Sequence, residues 1–227
     1  MCGRYVLGGD AADYAEYFGA DRVVAEELDR SYNVAPTDRV YTVAEWDGER
    51  VLGSMKWGFV PFWANDAKSI QINARSESLT RKPMFRDSAA RKRCIIPADG
   101  FYEWEPKERG RAPHWVYRAD GYPMGFAGIW STWKNPEDGE LIRTCAIVTA
   151  KAKGVISQIH DRMPVAIHPD MWNEWLDRTI TDLARVESLV VPIDPDLIVE
   201  HEVESKVNSV RNNDPSLTEP GGPLRLL

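Results

Sequence analysis

Short apolar stretches bounded by Gly, Pro and Asp dominate this chain, and few segments carry helical spacing. Residues 2–7 predict a strand, with Cys2 and Arg4 on one face by the two-residue period. Asp10 predicts the N-cap of a helix through Phe18, with Ala11, Tyr14, Ala15 and Phe18 on one face and Gly19 closing it. The acidic stretch 22–28 predicts a second helix, and Pro36 makes 32–37 irregular. Residues 39–46 and 50–57 flank Asp47-Gly48, a strong hairpin signal. Residues 57–63 combine Gly, Pro and aromatics and read as a loop wall. A short strand at 70–75 leads into helices near 76–80 and 83–90. Strands are predicted at 94–96 and 101–104 on either side of Asp99-Gly100, then at 115–118, 125–130 and 143–149. The last is a continuous apolar run suited to a sheet centre. Beyond it come a helix at 152–159, a strand at 165–167, helices at 169–176 and 182–189, and a strand at 197–203.

No internal repeat and no linker divides these elements. The pattern predicts a single α+β domain over 1–212, a mostly antiparallel, barrel-like sheet core with flanking helices. Residues 213–227 hold Pro215, Pro220 and Gly221-Gly222-Pro223 and read as a flexible tail. At 227 residues, 43 % hydrophobic and 28 % charged, the chain can bury a substantial core. It has no apolar run long enough to span a bilayer and no secretory signal near Met1. The three cysteines, Cys2, Cys94 and Cys145, show neither disulfide nor metal-ligand spacing. A cytoplasmic protein without metal or cofactor is therefore expected.

Charge changes the picture. The chain carries −7, yet residues 50–111 hold 13 Lys/Arg against 7 Asp/Glu. A basic middle inside an acidic protein fits a confined anion-binding face, although a solvated surface gives the same asymmetry.

Cys2 is the first candidate for chemistry. Removal of Met1 would leave one residue with a free α-amine, ordinarily of pKa about 7.7–8.0, and a thiol near 8.5. That pair can act as an N-terminal nucleophile or close a thiazolidine ring on an aldehyde, but a cysteine near a terminus can equally be inert. Glu103, between Tyr102 and Trp104, suits a general acid/base if buried; pointing outward with Glu105, it would be solvated. His160 occupies a polar loop, where a histidine is either a surface residue or a catalyst. Asn73 and Arg75 share a strand face, able respectively to orient an amine and to clamp a phosphate. Trp63, with Phe59 and Phe62, can stack unpaired bases beside Arg4, Arg75, Arg81, Lys82 and Arg86, or can simply pack the core.

Taken in order, several segments resemble the SOS-response-associated peptidase family, the SRAP proteins that crosslink to abasic sites in single-stranded DNA. They are Met1-Cys2-Gly3-Arg4, Tyr32-Asn33-Val34-Ala35-Pro36, Trp57-Gly58-Phe59-Val60-Pro61, Ile72-Asn73-Ala74-Arg75-Ser76-Glu77, Met84-Phe85, Pro97 to Trp104, Ile147 to Ala150 and Ile159 to Pro164. Val207-Asn208-Ser209-Val210-Arg211-Asn212 resembles the closing motif. The resemblance implies that Cys2, freed of Met1 by autocatalytic release, traps the open aldehyde of an abasic sugar as a thiazolidine. It implies Glu103 as the acid/base residue, His160 as the group assisting ring opening and reversal, and Asn73 as the residue holding the Cys2 amine. Arg4 and Arg75 would contact phosphates, and Pro36 and Trp63 would stack flanking bases. Asn33, Met84, Phe85, Thr149 and Arg162 would complete the DNA face. The implied partner is single-stranded DNA at a duplex junction, bound by a monomer. Ala64 stands where relatives carry a second tryptophan. Two rivals remain: an N-terminal-cysteine glutamine amidotransferase, and a non-covalent single-strand-binding module.

Overall fold

The computed structural model describes residues 2–221. In chain order its strands and α-helices are β1 (Tyr5–Leu7), α1 (Ala11–Tyr17), β2 (Arg22–Val23), β3 (Ser31–Val34), β4 (Arg39–Trp46), β5 (Glu49–Trp57), β6 (Asn73–Arg75), α2 (Pro83–Arg91), β7 (Arg93–Ala98), β8 (Gly100–Pro106), β9 (Arg111–Arg118), β10 (Met124–Lys134), β11 (Leu141–Lys151), α3 (Ile156–Ile159), β12 (Arg162–Pro164), α4 (Trp172–Leu176), α5 (Leu183–Ser188) and β13 (Ile198–Glu202).

Five strands close into a barrel. β7, β4 and β5 follow one another antiparallel, β10 joins β7 to β11, and a short parallel contact of Lys56 and Trp57 with Thr144 and Cys145 closes β5 onto β11. The β4–β5 hairpin turns at Asp47 and Gly48, both at positive φ, as a two-residue hairpin turn demands. β11 is buried along most of its length and also holds β6 and β12, which explains its unbroken apolar run. A second sheet, antiparallel throughout in the order β13-β9-β8-β1-β3, packs against the barrel.

Tyr5 of β1 meets Trp57 and Phe126 edge-on with ring centroids 5.2 and 6.1 Å away, so one strand fastens the two sheets. Such aromatic pairs contribute about 0.5–1.5 kcal/mol each beyond the area they bury.

Asp99 marks the crossing between sheets rather than a hairpin: β7 belongs to the barrel and β8 to the second sheet. Its carboxylate accepts from Gly8 N–H at 2.6 Å and Tyr14 O–H at 2.8 Å, holding the β1–α1 corner. A Cβ at Gly100 would stand 2.4 Å from the Val116 carbonyl oxygen, so β8 can approach β9 there only as glycine.

Helical expectations fare less evenly. α1 starts at Asp10, whose side chain accepts from Asp13 N–H, and presents Ala11, Tyr14 and Ala15 to the core. The helix expected at 22–28 is absent: β2 pairs in parallel with β5, and Val24 N–H continues to Leu52 O. Tertiary hydrogen bonds take its acids instead, Glu27 accepting from Ala11 N–H and Tyr41 O–H at 3.1 and 3.0 Å. β3 covers the first part of the expected irregular segment, because Tyr5 pairs with Val34 ahead of Pro36. Only 156–159 of the expected 152–159 helix is α-helical, and 169–171 form a 3-10 turn before α4.

Part of the expected tail is docked. Asn213 Oδ1 accepts from Tyr32 N–H, Leu217 is buried with Val6, Tyr102 and Val207, and Pro220 bridges Val203. Residues 222–227 of that expectation lie outside the described residues, as does Met1.

Candidate active site

Strand pairing brings the start of the chain to the strand that carries Glu103. β1 and β8 pair antiparallel with Tyr5 opposite Phe101, and Tyr102 N–H donates to Arg4 O at 2.9 Å. Ahead of Tyr5 the chain leaves β1, and Cys2 joins the main buried core within electrostatic reach of Glu103. Cys2 is fully buried. Burial pushes its thiol well above the ordinary value, the Glu103 charge adds to the rise, and the Arg4 backbone N–H counters part of it. The site therefore holds Cys2 as a neutral thiol rather than a thiolate.

Glu103 is 2 % exposed, so the inward reading of β8 holds and the outward one fails. Across the ladder stands His114, whose Nδ1 and Nε2 lie 2.6 and 3.1 Å from Glu200 and Glu105. Sequence reasoning passed over His114 because its acidic partners come from β8 and β13.

Asn73 reaches Cys2 from the other sheet. It opens β6, aligned in parallel with Ile147 of β11, and its Nδ2 donates to Cys2 O at 2.8 Å. Its Oδ1 is buried and accepts no hydrogen bond among the described residues. That vacant acceptor is where an α-amine on Cys2 could donate.

His160 caps the C-terminus of α3, which packs against β8 and so brings the ring toward the strand that carries Glu103. Its Nδ1 lies 2.9 Å from the Arg162 backbone nitrogen. Asp161 Oδ1 is also 2.9 Å from Nδ1. Arg162 itself is committed. It forks onto Glu77 at 2.6 and 2.9 Å and donates to Thr149 O at 2.7 Å. That fork holds Glu77 down to about 2 and ties the His160 loop to the turn after β6. Glu77 stood in the motif around Asn73, but its partner was not apparent from spacing.

Arg4 and Asn33 form a second knot. Arg4 donates to Asn33 Oδ1 at 2.6 Å and to Val207 O at 2.9 Å. Asn33 Nδ2 faces the carbonyls of Val207, Ser209 and Asn212 at 3.3, 2.9 and 2.8 Å. Trp104 Nε1 donates to Asn208 Oδ1 at 2.7 Å. The segment 207–212 is thus a strap locked over β1, β3 and β8, and desolvation lowers the Arg4 pKa there.

The remaining DNA-face candidates separate by exposure. Trp63 is 57 % exposed, its neighbour Phe62 55 %, and Arg75 is exposed. Pro36 and Met84 are half-buried. Phe85 and Thr149 are buried, Phe85 meeting Phe59 edge-on at 5.6 Å, so these two support the site from within the fold. Ala64 contributes its carbonyl, accepting from Trp133 Nε1 at 2.7 Å and anchoring the loop behind Trp63. Among the described residues no group of three or more His, Cys, Asp or Glu could hold a metal ion, and no helix is long and apolar enough to cross a membrane.

Residues 1–210 match the model of the family described as SOS response associated peptidase (SRAP). The chain belongs to the SRAP family. It is 40 % identical over 223 residues to the abasic site processing protein YoqW of Bacillus subtilis, covering 96 % of this chain and 99 % of that protein. The abasic site processing protein YedK of Escherichia coli is 32 % identical, covering 97 % of this SRAP chain and all of its relative. A crystal structure of a protein from Bacteroides thetaiotaomicron superposes with a TM-score of 0.87 at 25 % identity, over 97 % of this chain and 100 % of that one. The SRAP chain thus shares its α+β architecture, barrel and antiparallel sheet together, with solved relatives.

Proposed function

We propose that this SRAP protein captures abasic sites in single-stranded DNA covalently through Cys2, once Met1 has been released. The observation that carries the reading is the convergence of Asn73 and Glu103, from two different sheets, on the buried Cys2. The relatives' names as abasic site processing proteins supply the substrate class.

The chemistry begins at the amine. The open-chain sugar presents an aldehyde, and the Cys2 amine adds to its carbonyl carbon to give a carbinolamine. Asn73 Oδ1 accepts one amine hydrogen and aims the lone pair. Glu103 takes the proton released on addition and returns one to the departing hydroxyl, so water leaves and a Schiff base forms. The neutral Cys2 thiol then adds to the imine carbon. Its proton passes to the nitrogen, through the Glu103 carboxylate, and the five-membered thiazolidine closes. His160 assists opening of the closed sugar and reversal of the crosslink. Positioned proton transfer contributes about 10²–10⁴-fold in rate.

Arg75 and Arg4 hold phosphates beside the lesion, and Trp63 and Pro36 stack the flanking bases. The protein acts as a monomer at a junction of single strand and duplex, and self-release of Met1 accounts for the peptidase name of the family.

The decisive experiment incubates the purified protein with single-stranded DNA carrying one abasic site. A covalent species of slower migration is expected, with mass spectrometry placing the adduct on Cys2. Absence of the adduct while Cys2 is free at the N-terminus overturns the proposal.

A further inference from the structure

The candidate site leaves a second strip of aromatic rings and cations unused. Phe62 shares the Trp63 loop, and the Lys92 ammonium lies 5.8 Å from its ring centroid. The same ammonium stands 5.5 Å from the ring of Trp130. Trp130 in turn lies 6.1 Å from Trp46, and the Arg143 guanidinium covers Trp46 at 5.1 Å. Phe62 and Trp46 are 55 % and 39 % exposed, while Trp130 forms a buried floor between them.

The barrel topology opens this strip into a groove. β5 meets β11 only at Lys56 and Trp57, and its earlier residues Val51 and Leu52 pair with β2 instead. The two barrel strands therefore part toward the β4–β5 and β10–β11 tips. A groove of about 660 Å³ fills the gap, with Trp46, Trp130 and Arg143 in its wall. Arg22 and Glu26 also line it, and Arg22 is paired with Glu49. Lys92 and Arg143, by contrast, have no carboxylate partner among the described residues. Their charge faces ring surfaces and solvent.

Cations alternating with flat apolar faces, joined through Lys92 and Trp130 to the loop of the exposed Phe62 and Trp63, suit unpaired nucleic acid held without sequence preference. We propose that this strip carries the undamaged flank of the single strand whose abasic residue lies at Cys2. The strand passes from the Phe62–Trp63 loop across Lys92 to Trp46 and Arg143. The inference rests on the proposed function for its starting point.

The test compares oligonucleotides of about 5 and about 16 nucleotides, each with one abasic site, together with an undamaged strand of the greater length. Wild-type protein should bind the long strands more tightly than the short one. Trp46→Ala should weaken binding of both long strands about tenfold, the scale of one lost base–aromatic stack, while Trp46→Phe retains most of it. Arg143→Ala should lower the salt dependence of long-strand binding by about 0.7 in the log–log slope. Crosslink yield on the short strand, and the melting temperature, should stay at wild-type values in all three variants. Unchanged long-strand affinity in Trp46→Ala overturns the inference, as does an equal loss on short and long strands. Failure of the capture chemistry would show separately, as no crosslink to any strand, with binding of the undamaged strand still reading the groove.

Discussion

Asn73 donates to the Cys2 carbonyl across 2.8 Å while its own Oδ1 stays buried and without a donor among the described residues. One amide thus fixes the residue that carries the nucleophile and keeps an acceptor open beside it. Asn73→Ala removes both functions. We expect the crosslinking rate to fall about 10²–10³-fold, the scale of losing one preorganised polar contact, with DNA affinity nearly unchanged. Single-turnover gel kinetics beside a binding titration read the two quantities apart; equal losses in both would assign Asn73 to DNA docking instead.

Glu103→Gln keeps the shape of the side chain and removes its charge. Crosslink formation should slow by about 10²–10⁴-fold. Since the Glu103 charge raises the Cys2 thiol pKa, the variant should also lower that pKa, though burial keeps it above the ordinary value. The pH dependence of alkylation at Cys2 reports it. A profile identical to wild type would show that the two groups do not sense each other.

The Glu77–Arg162 fork makes a signed prediction about pH. Glu77 is held from 4.5 down to about 2, so the folded state binds its proton less tightly than the unfolded one. Its stabilisation is present above pH 4.5 and is lost as pH falls through about 2. Because Glu77 is half exposed, solvent screening limits the contribution to about 1 kcal/mol. Urea denaturation of wild type and Glu77→Gln should differ by that amount at neutral pH and converge in acid. A gap that persists at pH 2 would assign the effect to something other than charge.

Asn33→Ala should destabilise the fold more than any loss of DNA contact would suggest. The side chain accepts from Arg4 and faces three carbonyls of the 207–212 strap. Leaving the half-buried Arg4 without its Asn33 acceptor, and those carbonyls without their donor, costs about 1–3 kcal/mol. Denaturation midpoint and proteolysis within 207–212 should move together; an intact strap in the variant would show that Asn33 serves the DNA face alone.

Much of the chain was legible from local pattern. Asp47-Gly48 announced its hairpin, Asp10 its helix start, and the apolar run 143–149 its place at the barrel centre. Each of those signals is complete within a few residues, since turn geometry, capping and burial on both faces are local demands. The stretch 22–28 misled because Glu27 serves Ala11 and Tyr41, outside the stretch, rather than its own helix. The strap 207–212 could be recognised as a motif, yet its work could not be read, because Asn33 and Arg4 approach it from nearly two hundred residues away.

Residue types and motif order by themselves determined which side chains carry the candidate chemistry: Cys2, Asn73, Glu103 and His160. Whether those groups meet was decided by tertiary structure. The β1–β8 pairing brings the start of the chain to the strand that carries Glu103, and the β6–β11 alignment carries Asn73 over from the other sheet. Burial then raises the Cys2 thiol, and the parting of β5 from β11 opens the groove at Trp46. Pairing register and desolvation are relations between distant segments, and no local pattern along the chain encodes them.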